Sequence, residues 1–236
     1  MDQNDQIKKS DKAAIINQMK SIKEMDLANS KGGLISKNGF SALQQAALLE
    51  DEKLKINPIY VPTQLPIFVI DLKKLLQPHM DLARQAIDEL RVTHPDSPVS
   101  NVSACYMSPW KSHLINPKLK PICDSVITIA KIVSHQVLSA DLAALNMNLV
   151  VSDCWGIIYE QSDNTKFHNH FPAEYGCAIY LEAEQNCAPI IFSKIFKFQP
   201  EAGMMVLFPG ILNHEVPAND GKRVVLSMNL VKTYVN

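Results

Sequence analysis

Residues 200–223 read PEAGMMVLFPGILNHEVPANDGKR. The apolar run Met204–Phe208 is closed on one side by Pro200-Glu201-Ala202-Gly203 and on the other by Pro209-Gly210. His214-Glu215-Val216 follows, then the turn-forming Asn219-Asp220-Gly221 and Arg223. Apolar runs this short, punctuated by Gly, Pro, Asn and Asp, read as strands. A helix would need an apolar stripe at 3.6-residue spacing over about ten residues or more.

The same texture extends outward on both sides. Candidate strands lie at 147–160, 166–170, 176–183, 189–192, 195–199, 204–208, 213–216 and 222–232. Further turn signals are Ser162-Asp163-Asn164 and Glu184-Gln185-Asn186. Short strands at near-regular spacing predict a sandwich or barrel. Upstream, Pro66–Asp71 reads as a first strand, and Pro78 opens a helix running to about Arg91. Residues 92–117 are loop-rich, with Pro95, Pro98, Pro109 and Pro117. The Trp110–Ser112 region in them is a candidate lid or substrate loop. Ile122, Val126, Ile129, Ala130, Val133 and Val137 then line one side of a helix over 118–139. Helices first and strands later predict an α+β fold, the helices backing one sheet.

Residues 1–57 form a separate N-terminal extension and 58–236 the main domain. In the extension we expect disorder over the first ten residues, a helix at 11–25, a hairpin or loop around Asn38-Gly39, and a helix at 42–52 capped by Ser41. No chemistry is evident there.

Composition narrows the function classes. Of 236 residues, 47% are apolar, enough for a sizeable core. With 23 basic against 24 acidic side chains, there is no electrostatic case for nucleic acid or an anionic membrane. The five cysteines, 105, 123, 154, 177 and 187, are odd in number and contain no CxxC pair. They read as small buried hydrophobes in a reducing, cytoplasmic compartment. The polar N-terminus lacks a signal-peptide core, and no apolar stretch is long enough to span a bilayer. Substrate identity and homo-oligomerisation stay open.

Four residues carry the chemistry: His168, His170, His214 and Arg223. In a strand, His168 and His170 point the same way about 6–7 Å apart, so both can reach one metal. A barrel interior can bring His214 to it, and three neutral donors leave coordination positions open. Arg223 opens the strand after His214, expected beside it and deeper along the wall, where a guanidinium would seek a carboxylate. Ser227 and Asn229 share its face by parity. Tyr159 and Tyr180 are strand aromatics whose phenols can reach the same carboxylate. The plain alternative makes Arg223 a surface residue paired with Asp220 or Glu215. His79, His94, His113 and His135 read as solvated or structural.

The stretch Trp155–Asn229, about a third of the chain, resembles the 2-oxoglutarate/Fe(II) oxygenases, especially the prolyl-hydroxylase-like branch with its small bacterial and phage members. The matching pieces, in order, are the Tyr159 strand, His168-x-His170, Ala178-Ile179-Tyr180-Leu181, Pro200-x-x-Gly203, Val206–Pro209, His214-Glu215-Val216 and Gly221-Lys222-Arg223. The resemblance implies a double-stranded β-helix, a jelly-roll or cupin-like barrel backed by the N-terminal helices. It implies Fe(II) on His168, His170 and His214. It also implies 2-oxoglutarate held by Arg223 with Ser227, Tyr159 and Tyr180, and oxidative hydroxylation of a substrate. For a phage-encoded chain the compartment would be the host cytoplasm.

One departure stands out. Where the family has Asp or Glu, this chain has His170, followed by Phe171-Pro172. Glu174 is an alternative carboxylate ligand if the intervening segment bends back. A three-histidine site also suits cupin-type dioxygenases that need no 2-oxoglutarate, or a metal- or ligand-binding barrel without turnover.

Overall fold

The computed structural model of the chain describes residues 64–234. The expectations for residues 1–57 lie outside them. Two antiparallel sheets face each other. The larger has the order β1 (Phe68–Asp71), β9 (Met204–Pro209), β6 (Tyr175–Ala183), β11 (Arg223–Tyr234), β4 (Met147–Tyr159), β3 (Tyr106–Met107). The smaller has the order β2 (Val102–Ser103), β5 (Asn164–His168), β10 (His214–Val216), β7 (Ile190–Phe192), β8 (Phe196–Phe198). From β4 onward the chain crosses between the sheets at nearly every turn: β4, β6, β9 and β11 in one, β5, β7, β8 and β10 in the other. This alternation winds two antiparallel strands into the double-stranded β-helix expected from the sequence.

The alternation of side chains along the central strands splits the core in two. On β11, Val224, Leu226, Met228 and Leu230 point outward under the helices, while Val225 points between the sheets. The helices α1 (Lys73–Thr93) and α3 (Lys120–Gln136) cover the outer face with Met80, Ala83, Ile87, Leu90, Ile122 and Val126. Burying one such Ile or Leu stabilises by about 1.5–3 kcal/mol. Gly156 on β4 leaves the space that the Ile87 side chain fills; a Cβ there would collide with it. The inner cluster holds Trp155, Ile157, Tyr180, Phe192 and Phe208.

β4 carries an irregularity. Its partner β11 pairs Asn229 with Asp153 but Leu230 with Val151, so Ser152 is an extra residue in the ladder. Before the irregularity Leu149 packs on the helix side; after it Cys154 and Ile158 do, and the odd-numbered Trp155, Ile157 and Tyr159 face inward.

Several expectations change in detail. Helix α1 starts at Lys73, not at Pro78, which lies inside it. Leu76, Met80, Ala83, Ile87 and Leu90 keep a 4-3-4-3 apolar spacing through the proline, and Asp71 Oδ1 accepts the Lys73 N–H at 2.9 Å to start the turn. Pro78 is exposed, so water can satisfy the carbonyl it deprives of a partner. The segment 92–117 is not only loop: it forms β2, β3 and the helical turn α2 (Ser112–Ile115). β5 ends at His168, so His170 lies beyond the strand. No helix among the described residues is long and apolar enough to cross a membrane.

Candidate metal centre

The two strands of the smaller sheet that hold histidines are neighbours. β10 pairs with β5 so that His214 sits directly opposite His168. His170 comes from the turn after β5, pinned by its own N–H donating to Gly210 O at 2.7 Å, ahead of a cis Phe171-Pro172 bond. The expected convergence of His168 and His170 therefore holds, but by a turn rather than by strand alternation. The ligand atoms of His168, His170 and His214 all lie within 4.8 Å of one another, with His170 Nε2 and His214 Nε2 3.3 Å apart.

Each imidazole has its proton position set by what its Nδ1 faces. His168 Nδ1 meets Lys166 O at 2.8 Å and His214 Nδ1 meets Leu212 O at 3.2 Å. A carbonyl only accepts, so both Nδ1 atoms donate and both Nε2 atoms keep a lone pair. His170 Nδ1 lies 2.6 Å from Asn229 Oδ1. The Asn229 amide is itself oriented by donating Nδ2–H to Asp153 Oδ2 at 3.2 Å, and Ser152 Oγ donates to the same oxygen at 2.9 Å. Asn229 thus presents its oxygen to His170, which donates through Nδ1 and frees Nε2. Hydrogen-bonded acceptors behind metal-binding imidazoles orient the ring and raise its basicity.

Burial keeps the rings uncharged. It pushes His214 down to about 3 and His170 down to about 4, with the neighbouring histidines adding to the effect, and it lowers His168 in the same direction. Aromatic rings supply that burial: Phe208 packs on His214 at 4.8 Å between centroids, and Trp155 stacks on His170 at 6.0 Å. Two unprotonated Nε2 atoms 3.3 Å apart have no proton to share. Their separation is that of imidazole nitrogens on one first-row metal ion at about 2.1 Å each, so the donor set fits a metal.

The histidines line a cavity of about 490 Å³ between the sheets. Arg223 lies at one end of it and is 2% exposed. The sequence places Arg223 on a strand beside His214. The structure corrects this: β11 pairs with β4 and β6, so Arg223 stands in the sheet facing β10 and reaches the cavity from across the barrel. It is not a surface residue. Its guanidinium lies 4.2 Å over the Tyr159 ring, and one Nη donates to Ala188 O at 2.8 Å. Its Nε is buried without a partner, and no carboxylate among the described residues pairs with it. A buried guanidinium left in this state is costly, and an anion in the cavity would relieve that cost.

Ser227, Tyr159 and Tyr180 line the same cavity, and all three are buried. The Tyr159 hydroxyl is 2.6 Å from Thr165 Oγ1, and burial raises the Tyr180 phenol far above its usual range, so it stays a neutral hydroxyl. Glu174 is not at the histidine cluster. Its carboxylate pairs with Lys232 Nζ at 2.8 Å, and the segment after His170 carries it away to begin β6. His79, His94, His113 and His135 do not line the cavity.

Sequence reading missed the part played by Asn229 behind His170, and by Asp153. Strand parity put Asn229 on the Arg223 face. Nothing local marks Asp153, because the extra residue Ser152 breaks the alternation just before it. The Trp110–Ser112 region, read as a lid or substrate loop, supplies Trp110 to the cavity wall, and Cys154 N–H donates to Trp110 O at 2.8 Å.

No protein-family model matches the chain. No characterised protein matches it in sequence. Solved structures do match in fold. The non-heme alpha ketoglutarate dependent epimerase SnoN from nogalamycin biosynthesis superposes with a TM-score of 0.51 at 12% identity, covering 72% of this chain and 80% of its own. A prolyl 4-hydroxylase from Phytophthora capsici superposes with a TM-score of 0.50 at 16% identity, covering 70% of this chain and 58% of its own. The fold of residues 64–234 is the double-stranded β-helix of the 2-oxoglutarate/Fe(II) oxygenases, as Trp155–Asn229 leads one to expect.

Proposed function

We propose that this chain is an Fe(II)- and 2-oxoglutarate-dependent oxygenase that oxidises a substrate bound in the cavity. The observation that carries the reading is the pairing, in one cavity, of three uncharged imidazoles with free Nε2 atoms and a buried guanidinium without a counter-ion. His168, His170 and His214 would hold the metal through Nε2. Arg223 would take the distal carboxylate of 2-oxoglutarate, with Ser227, Tyr159 and Tyr180 as hydroxyl partners around it. Bound together, iron and 2-oxoglutarate supply oxidation of a C–H bond by O2, with succinate and CO2 as co-products.

The chain's own residues do the rest. Arg223 exchanges an unsatisfied Nε for a charge-assisted pair, which fixes one end of the co-substrate and sets its direction toward the histidines. The carbonyls of Lys166 and Leu212 and the amide of Asn229 hold the three ring tautomers. Phe192, Phe208 and Trp155 keep water away and strengthen every charge interaction within. With no carboxylate among the ligands, the site is one unit more positive than the Asp or Glu version, so the anionic co-substrate gains more from binding.

The three-histidine set also suits a cupin-type dioxygenase that binds its substrate directly, and a barrel that binds metal without turnover. Neither requires a buried, unpaired arginine. The test is anaerobic titration of the full chain with Fe(II) and then 2-oxoglutarate, following the visible charge-transfer absorption. Its appearance, with succinate formed on admitting O2, supports the proposal. Tight iron binding with no response to 2-oxoglutarate rejects the proposal in favour of those two readings, and failure to bind iron rejects both enzymes.

A further inference from the structure

The cavity is bipolar. Among its lining residues Arg223 is the one permanent cation and Asp153 the one carboxylate. The β4–β11 register separates them: Arg223 pairs with Tyr159 and Asn229 with Asp153, six residues apart on β11. At about 3.3 Å per residue that is roughly 20 Å of strand. The anion end serves the co-substrate, and this inference rests on that reading. The carboxylate end is left for something else.

Asp153 is built to receive a cation. Both of its internal hydrogen bonds, from Ser152 and Asn229, fall on Oδ2. Oδ1 accepts none from the described residues, and no Lys or Arg among them lies within ion-pair distance. His113 lies near enough to interact with Asp153, but burial lowers its proton affinity and keeps it neutral. Beside Asp153, Trp110 and Trp155 line the cavity in edge-to-face contact, with ring centroids 4.8 Å apart. Indole faces attract cations through the negative charge of the ring face. Trp110 is 36% exposed and Phe171 beside the cavity 75%, so this end opens to solvent. A neutral substrate would strip water from Asp153 without neutralising it, at a cost.

We propose that the substrate carries a cationic amine, seated on Asp153 Oδ1 beside the half-exposed indole of Trp110. The arginine end then orients the co-substrate, the carboxylate end orients the substrate, and the histidines stand between them.

The chain has two tryptophans, both in this cavity, so indole fluorescence reports on the site directly. The experiment titrates the full chain, metal-free and again loaded with Zn(II), with hexylammonium and with hexan-1-ol of matching shape. Saturable hexylammonium binding at least tenfold tighter than hexan-1-ol is expected. Asp153→Asn should remove that preference, and Trp110→Leu, which leaves the Asn229–His170 contact alone, should weaken hexylammonium several-fold with Trp155 as reporter. Equal affinity for alcohol and ammonium in the unaltered chain overturns the proposal, as does a preference that survives in a folded Asp153→Asn protein. Arg223→Met should abolish 2-oxoglutarate binding and leave hexylammonium binding unchanged. Absence of 2-oxoglutarate binding in the unaltered chain would thus sink the oxygenase reading and leave Asp153 as an amine site of unassigned purpose, whereas absence of the amine preference would sink the amine site and leave the oxygenase reading standing.

Discussion

Replacing Arg223 by Met should separate two quantities that usually fall together. In the ligand-free protein Arg223 is a buried charge with one hydrogen bond to Ala188 O at 2.8 Å, one ring contact at 4.2 Å and an orphaned Nε. Methionine matches much of its length and carries no charge. Exchanging buried ionic groups for apolar ones of similar volume is commonly neutral or stabilising by about 1–4 kcal/mol. That net figure already contains the interactions lost with the charge, here a hydrogen bond and a ring contact. The melting temperature without ligand should therefore stay level or rise. Binding of 2-oxoglutarate should collapse, because truncating one partner of a buried charge pair costs about 2–5 kcal/mol, or roughly 30-fold to several thousandfold in Kd. Thermal melts with and without 2-oxoglutarate, on protein loaded with Zn(II), read both quantities. At a hundred times its Kd, 2-oxoglutarate should stabilise the unaltered chain by about 2.7 kcal/mol, a rise of roughly 5–11 °C for a domain of this size. The variant should show no such rise. A variant that binds 2-oxoglutarate within threefold of the unaltered chain would refute the assignment of Arg223, and one too unstable to purify would show that the guanidinium holds the fold together.

Other perturbations follow from the same geometry. Asn229→Ala removes the acceptor from His170 Nδ1 and should lower metal affinity by about 10–100-fold, measured by competition with a chromogenic chelator, whereas Asn229→Asp should retain it. His170→Asp should preserve iron binding, and His214→Ala should abolish it, both read by metal content after anaerobic loading. Gly176→Ala would place a Cβ 2.5 Å from the Phe208 ring and 3.1 Å from His170 Cδ2, so it should destabilise by about 1–3 kcal/mol in denaturant melts and weaken metal binding too. Metal-free protein should lose stability in acid: His170 and His214 bind protons more weakly folded than unfolded, so their contribution is complete above about pH 6.5 and drains away toward their folded values of about 4 and 3. Metal-free denaturant melts between pH 7 and pH 4 should fall by on the order of a few kcal/mol, and a flat profile would contradict the burial of the rings.

The strands and the histidines could be read in advance because they are written in local patterns. Met204–Phe208 between Gly203 and Pro209-Gly210 specifies its own limits, and Arg223, Ser227 and Asn229 share a face because strand parity is strict along β11. What sequence could not give is which strands become neighbours. His214 and Arg223 are nine positions apart, and the natural guess made their strands adjacent, yet the winding sends them to opposite sheets. The helix start at Lys73 was hidden because Pro78 sits on the solvent side, where the rule against interior proline is weakest. Asp153 and Trp110 join the cavity through pairing and hydrogen bonding across distant segments, which no window of sequence contains.

The single additional residue at Ser152 changes what evolution can do to β4. Upstream of it Leu149 packs under the helices, and downstream Trp155, Ile157 and Tyr159 furnish the chamber. Deleting Ser152 would restore unbroken two-residue alternation without turning either half over, because β11 already sets Leu230 against Val151 and Asn229 against Asp153. What would go is the Ser152 hydroxyl that steadies Asp153 Oδ2, and the extra local twist at the passage from helix cover to chamber wall. A one-residue deletion elsewhere in β4 has no such slack and would flip every side chain on one side of it.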